Sequence, residues 1–439
     1  MLLEFRAKNF KSFKDELAFS MIPAPKQKGL DYSILKETIE NNTVKALPTS
    51  VIYGTNSSGK TTIISAMEVL KNIILKGNIK NSQSNSKNIV VDNLELIPNK
   101  DTNKKNPVDF YIKFIEDKYL FEYKISLDLG SFGDKDFNRK ILEEQLSINE
   151  NLIFKRRDIN IEFFIKQNNI IKETFIEKYT ENEKSILEIA KNNINREELF
   201  LTNSFKSMFS QILVAKIINW LTNKFRPIFM SNTLNSSPAY DLEKNKVFKS
   251  KIVNDVAKVM GTENDIVYIS ENDKPARMIS LIDKVNIAVP SVFFESYGTF
   301  RFLNIFPIIY KTLSKGGILI VDEFDNSLHP NVVMSIIKIF HNDEINKHNA
   351  QLIFNTHNPI FLNSNLFRRD EIKFVEKTDE TNESELYSLS DFGTDGKDGV
   401  RKGEDYMKNY FINKYGAIKD VDFTSIFKKF ISGENDNDK

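Results

Sequence analysis

The chain has 439 residues, with 61 Lys and Arg against 60 Asp and Glu, four His and no Cys. Without cysteine there is no disulfide framework, no thiolate zinc site and no cysteine nucleophile, and none of His329, His341, His348 and His357 sits at i, i+4 to another, which argues against a histidine-built metal cage. A formal net charge of +1 argues against coating nucleic acid by bulk charge and leaves only a local basic groove open for DNA.

The length allows about two to three domains of ordinary size. No apolar run approaches the roughly 20 residues that span a bilayer, and the purest short run, Gly316 to Val321, stops at Asp322. The N-terminus, Met1 to Phe10, alternates apolar with polar residues, as a strand does and a signal peptide does not; the expectation is a cytoplasmic protein without a membrane partner.

In chain order, period-2 alternation predicts strands over 2–8 and 15–20, and Ser50 to Tyr53 reads as a short buried strand running into Gly54. A helix follows from Lys60 to Lys76, with Ile63, Ile64, Met67, Leu70 and Ile74 on one face. Residues 77–106, rich in Asn, Ser and Lys, read as loops, and 109–155 as an antiparallel meander, a β-rich lobe. Helix-spaced apolar positions recur over 183–193, 205–224 and 242–260, broken by Pro227 and Pro238 and without sustained heptads, so 160–285 reads as a helical insertion and not a long coiled coil. Alternation then resumes: helix 299–314, strand 317–322, helix Pro330 to Phe340, and strands 351–355 and 371–376, the order of a parallel sheet flanked by helices. The tail is polar, with an aromatic stretch at Tyr406 to Tyr415. The expected fold class is α/β, a β-rich lobe plus a mostly parallel sheet with flanking helices, divided as 1–159, 160–285, 286–376 and 377–439.

Gly54-Thr-Asn-Ser-Ser-Gly-Lys60-Thr61 has the P-loop spacing G-x-x-x-x-G-K-[ST] between a strand and a helix. The chemistry asks for glycines where backbone wraps phosphate, N–H groups and a helix N-terminus to cradle the anion, a lysine to reach the β- and γ-phosphates, and a hydroxyl for Mg²⁺. The candidate ATP-binding set is therefore Gly54, Asn56, Ser57, Ser58, Gly59, Lys60, Thr61 and Thr62. Ile318-Leu-Ile-Val-Asp322-Glu323 is an apolar strand ending in two carboxylates. Asp322 with Thr61 would hold Mg²⁺, and Glu323 would deprotonate or orient a water. Glu295-Ser296-Tyr297-Gly298-Thr299 precedes a predicted helix; Ser296 and Gly298 fit a phosphate cradle and fit equally an ordinary capped turn. His357, after the strand 351–355, is a candidate for sensing the γ-phosphate, against the plainer reading of a solvated strand-end histidine. Gln145 is the one candidate for a glutamine loop, with a surface role as its alternative. The basic pairs Lys104-Lys105, Arg139-Lys140 and Arg156-Arg157 could line a DNA path but read more simply as solvated surface.

Taken together, Gly54–Thr61, Glu295–Thr299, Ile318–Glu323, Asp325-Asn-Ser-Leu-His-Pro330 and His357 resemble the ABC-type ATPase heads of the SMC, RecF and OLD families. The wording Glu-Ser-Tyr-Gly-Thr-Phe-Arg-Phe, Asp322 to Pro330 and Thr356-His-Asn-Pro is most similar to the stand-alone ATPases of bacterial abortive-infection and antiphage systems, of the RloA and AbiL type. Leu366 to Glu376, Glu385 to Phe392 and Lys414 to Ile418 resemble that family's tail, which departs from the pattern at Asn413, Lys414 and Lys419. The resemblance implies Mg²⁺-dependent ATP hydrolysis with Lys60, Glu323 and His357 as catalytic residues. It also implies head-to-tail homodimers or higher homo-oligomers in which Ser296 and Gly298 of one protomer close on ATP held by the other. The toxic activity would lie in a separate effector protein encoded nearby, a nuclease being one candidate. The alternative expectation is a RecF- or SMC-like repair ATPase that clamps DNA. A transporter subunit fits less well, because Gly54 and Asp322 are too widely separated for such compact chains.

Overall fold

The computed structural model describes the chain except residues 26, 28, 84–85, 87, 102–105, 165–182, 229–246, 271–275, 283–286, 379, 395–398, 402, 420 and 432–439, and the side chains of 183, 184, 186 and 187. Lys104, Lys105, Pro238 and the first residues of the expected helix 242–260 lie outside the described residues.

Strands β1 (Leu2–Lys8), β2 (Leu17–Ser20), β3 (Leu35–Ile39), β4 (Asn42–Ala46) and β5 (Thr49–Gly54) lead to helix α1 (Lys60–Lys76). Then come β6 (Val108–Glu116), β7 (Tyr119–Asp128), β8 (Lys140–Ile148), β9 (Asn151–Arg157) and β10 (Asn160–Phe163). Next are α2 (Glu183–Asn192), α3 (Gln211–Asn219), β11 (Phe225–Ile228), β12 (Val247–Phe248), α4 (Lys251–Val259), β13 (Asp265–Ile269), β14 (Arg277–Ile282) and β15 (Ile287–Pro290). The last part holds α5 (Tyr297–Lys315), β16 (Ile318–Val321), α6 (Pro330–His341), β17 (Gln351–Asn355), β18 (Ile372–Lys377), β19 (Ser384–Ser388), α7 (Tyr406–Phe411) and α8 (Thr424–Ile431).

Two large sheets form the body. The first is antiparallel, in the order β10-β9-β8-β7-β6-β1-β2. Its inward side chains, among them Phe110, Phe114, Tyr123 and Phe154, pack on α1 and on the largely helical residues 199–221, where Trp220 stacks on Phe114 at 3.8 Å. The second has the order β11-β16-β17-β5-β18-β19, parallel except for β19. β5, β16 and β17 are buried throughout, so they read as unbroken apolar runs and not as alternation. One face of this sheet, through Ile52, Ile320, Ile353 and Val375, shares the core with α1; the other, through Val51, Tyr53, Leu319 and Phe354, packs on α5 and α6. Gln351 ties the sheets together: its side chain accepts from Leu2 N (2.6 Å) and donates to the carbonyls of Leu2 (3.0 Å) and Leu47 (2.9 Å). This is the α/β class expected from the sequence.

Between 160 and 285 the expected helices are accompanied by strands. β11 joins the parallel sheet beside β16, Phe225 opposite Ile318. Pro227, which reads as a helix breaker, is tolerated because β11 is an edge strand with one side free of ladder bonds. β12 to β15 form an antiparallel sheet that packs, through Ile266, Tyr268 and Met278, on Val253 and Ala257 of α4 and on Phe300 and Leu303 of α5.

Candidate nucleotide-binding site

Parallel pairing of β5, β16 and β17 brings their C-terminal ends to one edge, where ligands of such sheets sit. β5 ends at Gly54, which lies so close to β18 that a Cβ would collide with the Val375 carbonyl oxygen. The chain then turns through Ser57 (φ 63°) and Gly59 (φ 115°) into α1. A left-handed residue followed by a right-handed helical one gathers backbone N–H groups into an anion-binding concavity, and the 17-residue α1 adds the positive end of its dipole. Asn56 and Ser57 are exposed, Thr62 is half-buried, and Ser58 is buried with its hydroxyl lacking a hydrogen-bond partner.

Lys60, 5% exposed, donates from Nζ to the carbonyls of Gly54 (2.8 Å) and Thr55 (2.7 Å). Burial pulls its pKa down to about 8, against the opposing pull of Asp322 and Glu323. Thr61 Oγ1 donates to Asp322 Oδ1 at 2.9 Å, joining the loop to the end of β16. The Asp322 carboxyl is pushed upward chiefly by burial, while hydrogen bonds from Asn355 and Thr61 act the other way.

Asn355, at the end of β17, was not singled out by sequence reasoning, yet it bridges the two acids. Its Nδ2 donates to Asp322 Oδ1 and its Oδ1 accepts the Glu323 backbone N–H, both at 2.5 Å. Glu323 is exposed, has φ 51° and receives Asn326 Nδ2 at 3.4 Å. That left-handed turn is clamped by Arg301 of α5, a second missed residue, 2% exposed, which donates to the carbonyls of Glu323 (2.6 Å) and Asn326. The His357 ring is partly desolvated although the residue is exposed, and this together with Lys60 lowers its pKa, against Glu323, Asp325 and Asp322.

The structure thus gathers the loop 54–62, Asp322, Glu323 and His357 at one edge, while the Ser296 motif opens α5 beside the turn that follows Glu323. Ser296 caps α5, accepting Thr299 N at 3.1 Å, and a Cβ on Gly298 would strike the Ser327 carbonyl oxygen; neither residue hydrogen-bonds to 54–62. Gln145 lies within the antiparallel sheet, opposite Lys124 and Lys155. Ser12, in the β1–β2 connection, packs against Gly59, and its carbonyl accepts Ser384 N (2.8 Å) while Ser384 Oγ donates to the Ser58 carbonyl (2.6 Å). A cavity of about 340 Å³ opens there, lined by Lys11, Ser12, Val90, Pro98, Phe132 and Lys377. Only their approach in space marks these residues, and no spacing in the sequence could have found them.

A buried ammonium with only carbonyl partners, an orphaned hydroxyl and a left-handed backbone turn fit a phosphate anion. Among the described residues no group of three His, Asp or Glu is arranged as a metal cage. A divalent cation here could be held by Thr61 and Asp322 with the ligand's own oxygens completing the shell, as suits Mg²⁺.

Residues 50–363 match the AAA_21 family, described as "AAA domain, putative AbiEii toxin, Type IV TA system". No curated protein matches the chain. Among solved structures it is similar to the SMC head domain from Thermotoga maritima, at 12% identity and a TM-score of 0.38 over 88% of this chain and 98% of that one. With the loop 54–62, Asp322, Glu323 and His357 all inside the matched range, the chain belongs to the AAA_21 family of P-loop AAA-domain proteins.

Proposed function

We propose that the chain binds and hydrolyses Mg²⁺-ATP and works as a dimeric switch of a bacterial antiphage system, controlling a separate effector protein. The observation that carries the nucleotide chemistry is the 2.9 Å contact between Thr61 and Asp322, two residues remote in sequence that meet beside the Lys60 ammonium.

Bound Mg²⁺-ATP supplies the scissile phosphoanhydride and a metal that polarises it. Lys60 exchanges its two carbonyl partners for phosphate oxygens, which explains why the lysine is held there in contact with carbonyls and not with a carboxylate. The N–H groups of 55–61 and the hydroxyls of Ser58 and Thr62 complete the anion cradle. Thr61 and Asp322 would hold the cation. Glu323, held in its left-handed turn by Asn355 and Arg301, takes the proton of the attacking water. His357 faces the same charges and donates to the γ-phosphate or the water. The cavity beside Ser12, apolar on its walls, takes the base.

In this reading Ser296 and Gly298 reach nucleotide from a second copy of the chain; in their own they open α5, with Gly298 against the Ser327 carbonyl. Support comes from the exposed apolar residues beside them, Val292, Phe293 (84% exposed), Phe294 and Tyr297, which a partner protomer would cover. The antiphage role rests on the resemblance of the motifs and on the family's description as an AbiEii-type toxin–antitoxin component. Plating phage on cells carrying the gene with its neighbours tests the role. Protection is expected to be lost with both Lys60→Ala and Glu323→Gln; unchanged protection with Lys60→Ala would remove nucleotide from the account.

A further inference from the structure

The parallel sheet carries one lysine that nucleotide chemistry does not use. β18 lies between β5 and β19, and its neighbours Ile372, Phe374 and Val375 are apolar, as an interior strand requires. Lys373 sits among them, 7% exposed, and among the described residues its ammonium makes neither a hydrogen bond nor an ion pair. The acids nearest to it are already engaged. Asp370 is gripped by Arg368 through both oxygens (3.0 Å each) and accepts Ala24 N (2.9 Å). Glu371 takes His341, Thr49 and the Arg368 N–H. Asp391 accepts Ser388 N at 2.8 Å. An unpaired ammonium in a sheet interior is costly unless something meets it.

Lys373 lines a cavity of about 370 Å³ at the seam where the edge strand β2 of one sheet meets the edge strand β19 of the other. Ile22, Pro23 and Leu386 give it apolar walls. Ser20, whose Oγ accepts Ile22 N at 3.1 Å, keeps its own hydrogen to donate. Asp370 and Asp391 also line it and disfavour a ligand of high negative charge.

We propose that this cavity binds a small, singly charged organic carboxylate, its oxygens on Lys373 Nζ and the Ser20 hydroxyl and its apolar body against Ile22, Pro23 and Leu386. The site is independent of the nucleotide reading, although Lys373 pairs with Ile52 on β5 and Val375, two residues on, abuts Gly54.

Benzoate serves as the probe and benzamide as its uncharged control, read by the melting temperature of the full chain at fixed ionic strength. Benzoate is expected to raise the melting temperature in a saturable way and benzamide to leave it unchanged. The rise should vanish in Lys373→Met, which removes the charge at similar volume, and in Ala18→Trp, which fills the mouth and leaves the lysine in place. No saturable rise in the wild type, an equal rise with benzamide, or a rise that survives in either folded variant would overturn the proposal.

Discussion

Lys60 is a buried cation whose partners are two carbonyl oxygens of its own loop. An anion there replaces neutral partners with charged ones, so Lys60→Ala should weaken ATP binding by about 30-fold or more, roughly 2 kcal/mol, as measured by fluorescent-nucleotide titration. The same residue sets a pH dependence. With its pKa in the folded chain lowered to about 8, Lys60 must be protonated at a cost once the pH exceeds that value, so ATP affinity should fall as pH rises through about 8. For stability the sign is reversed. The unfolded chain holds more protons on this residue between about pH 8 and its ordinary value near 10.4, so this penalty on the fold is full below pH 8 and disappears above that window. Lys60→Met should therefore raise the urea midpoint of the nucleotide-free chain at pH 7. Lys60, Thr61, Asp322, Glu323 and His357 could be picked out in advance because each lies in a short motif at a strand end. Asn355 and Arg301 could not, because what marks them is the Glu323 backbone more than 20 residues away in sequence.

At the scale of elements, β5, β16, β17 and α1 were legible because burial on both faces writes a strand as an apolar run, and a one-sided helix writes a 3.6-residue period. The strands of 225–290 were not, since β11 is completed only by pairing with β16, remote from it in sequence, and the β12–β15 sheet only by packing on α4 and α5. The start of the helical stretch Leu201–Phe205 is fixed in a similarly long-range way. Glu144, fully buried on β8, accepts Tyr123 OH (2.9 Å) and the N–H groups of Phe200 (2.7 Å) and Leu201 (2.8 Å), with Arg156 at 3.5 Å. Removing the carboxylate leaves the Arg156 charge and two N–H donors buried without it. Glu144→Ala should cost about 3–5 kcal/mol, seen as a lower urea midpoint.

At the scale of the whole molecule, Ser296 and Gly298 at the start of α5 make no hydrogen bond to the 54–62 loop of their own chain, and the proposed function has a second copy supply them. In the presence of Mg²⁺-ATP, Glu323→Gln should accumulate as a dimer by light scattering, and Phe293→Asp should keep it monomeric while still binding nucleotide. The most direct test of the central claim is ATP turnover and ATP binding measured side by side in the wild type and Glu323→Gln. The account predicts that binding is retained while turnover falls by roughly 10²- to 10⁴-fold, the contribution expected of a positioned general base. Turnover equal to wild type in Glu323→Gln, or no ATP binding by either protein, would contradict it.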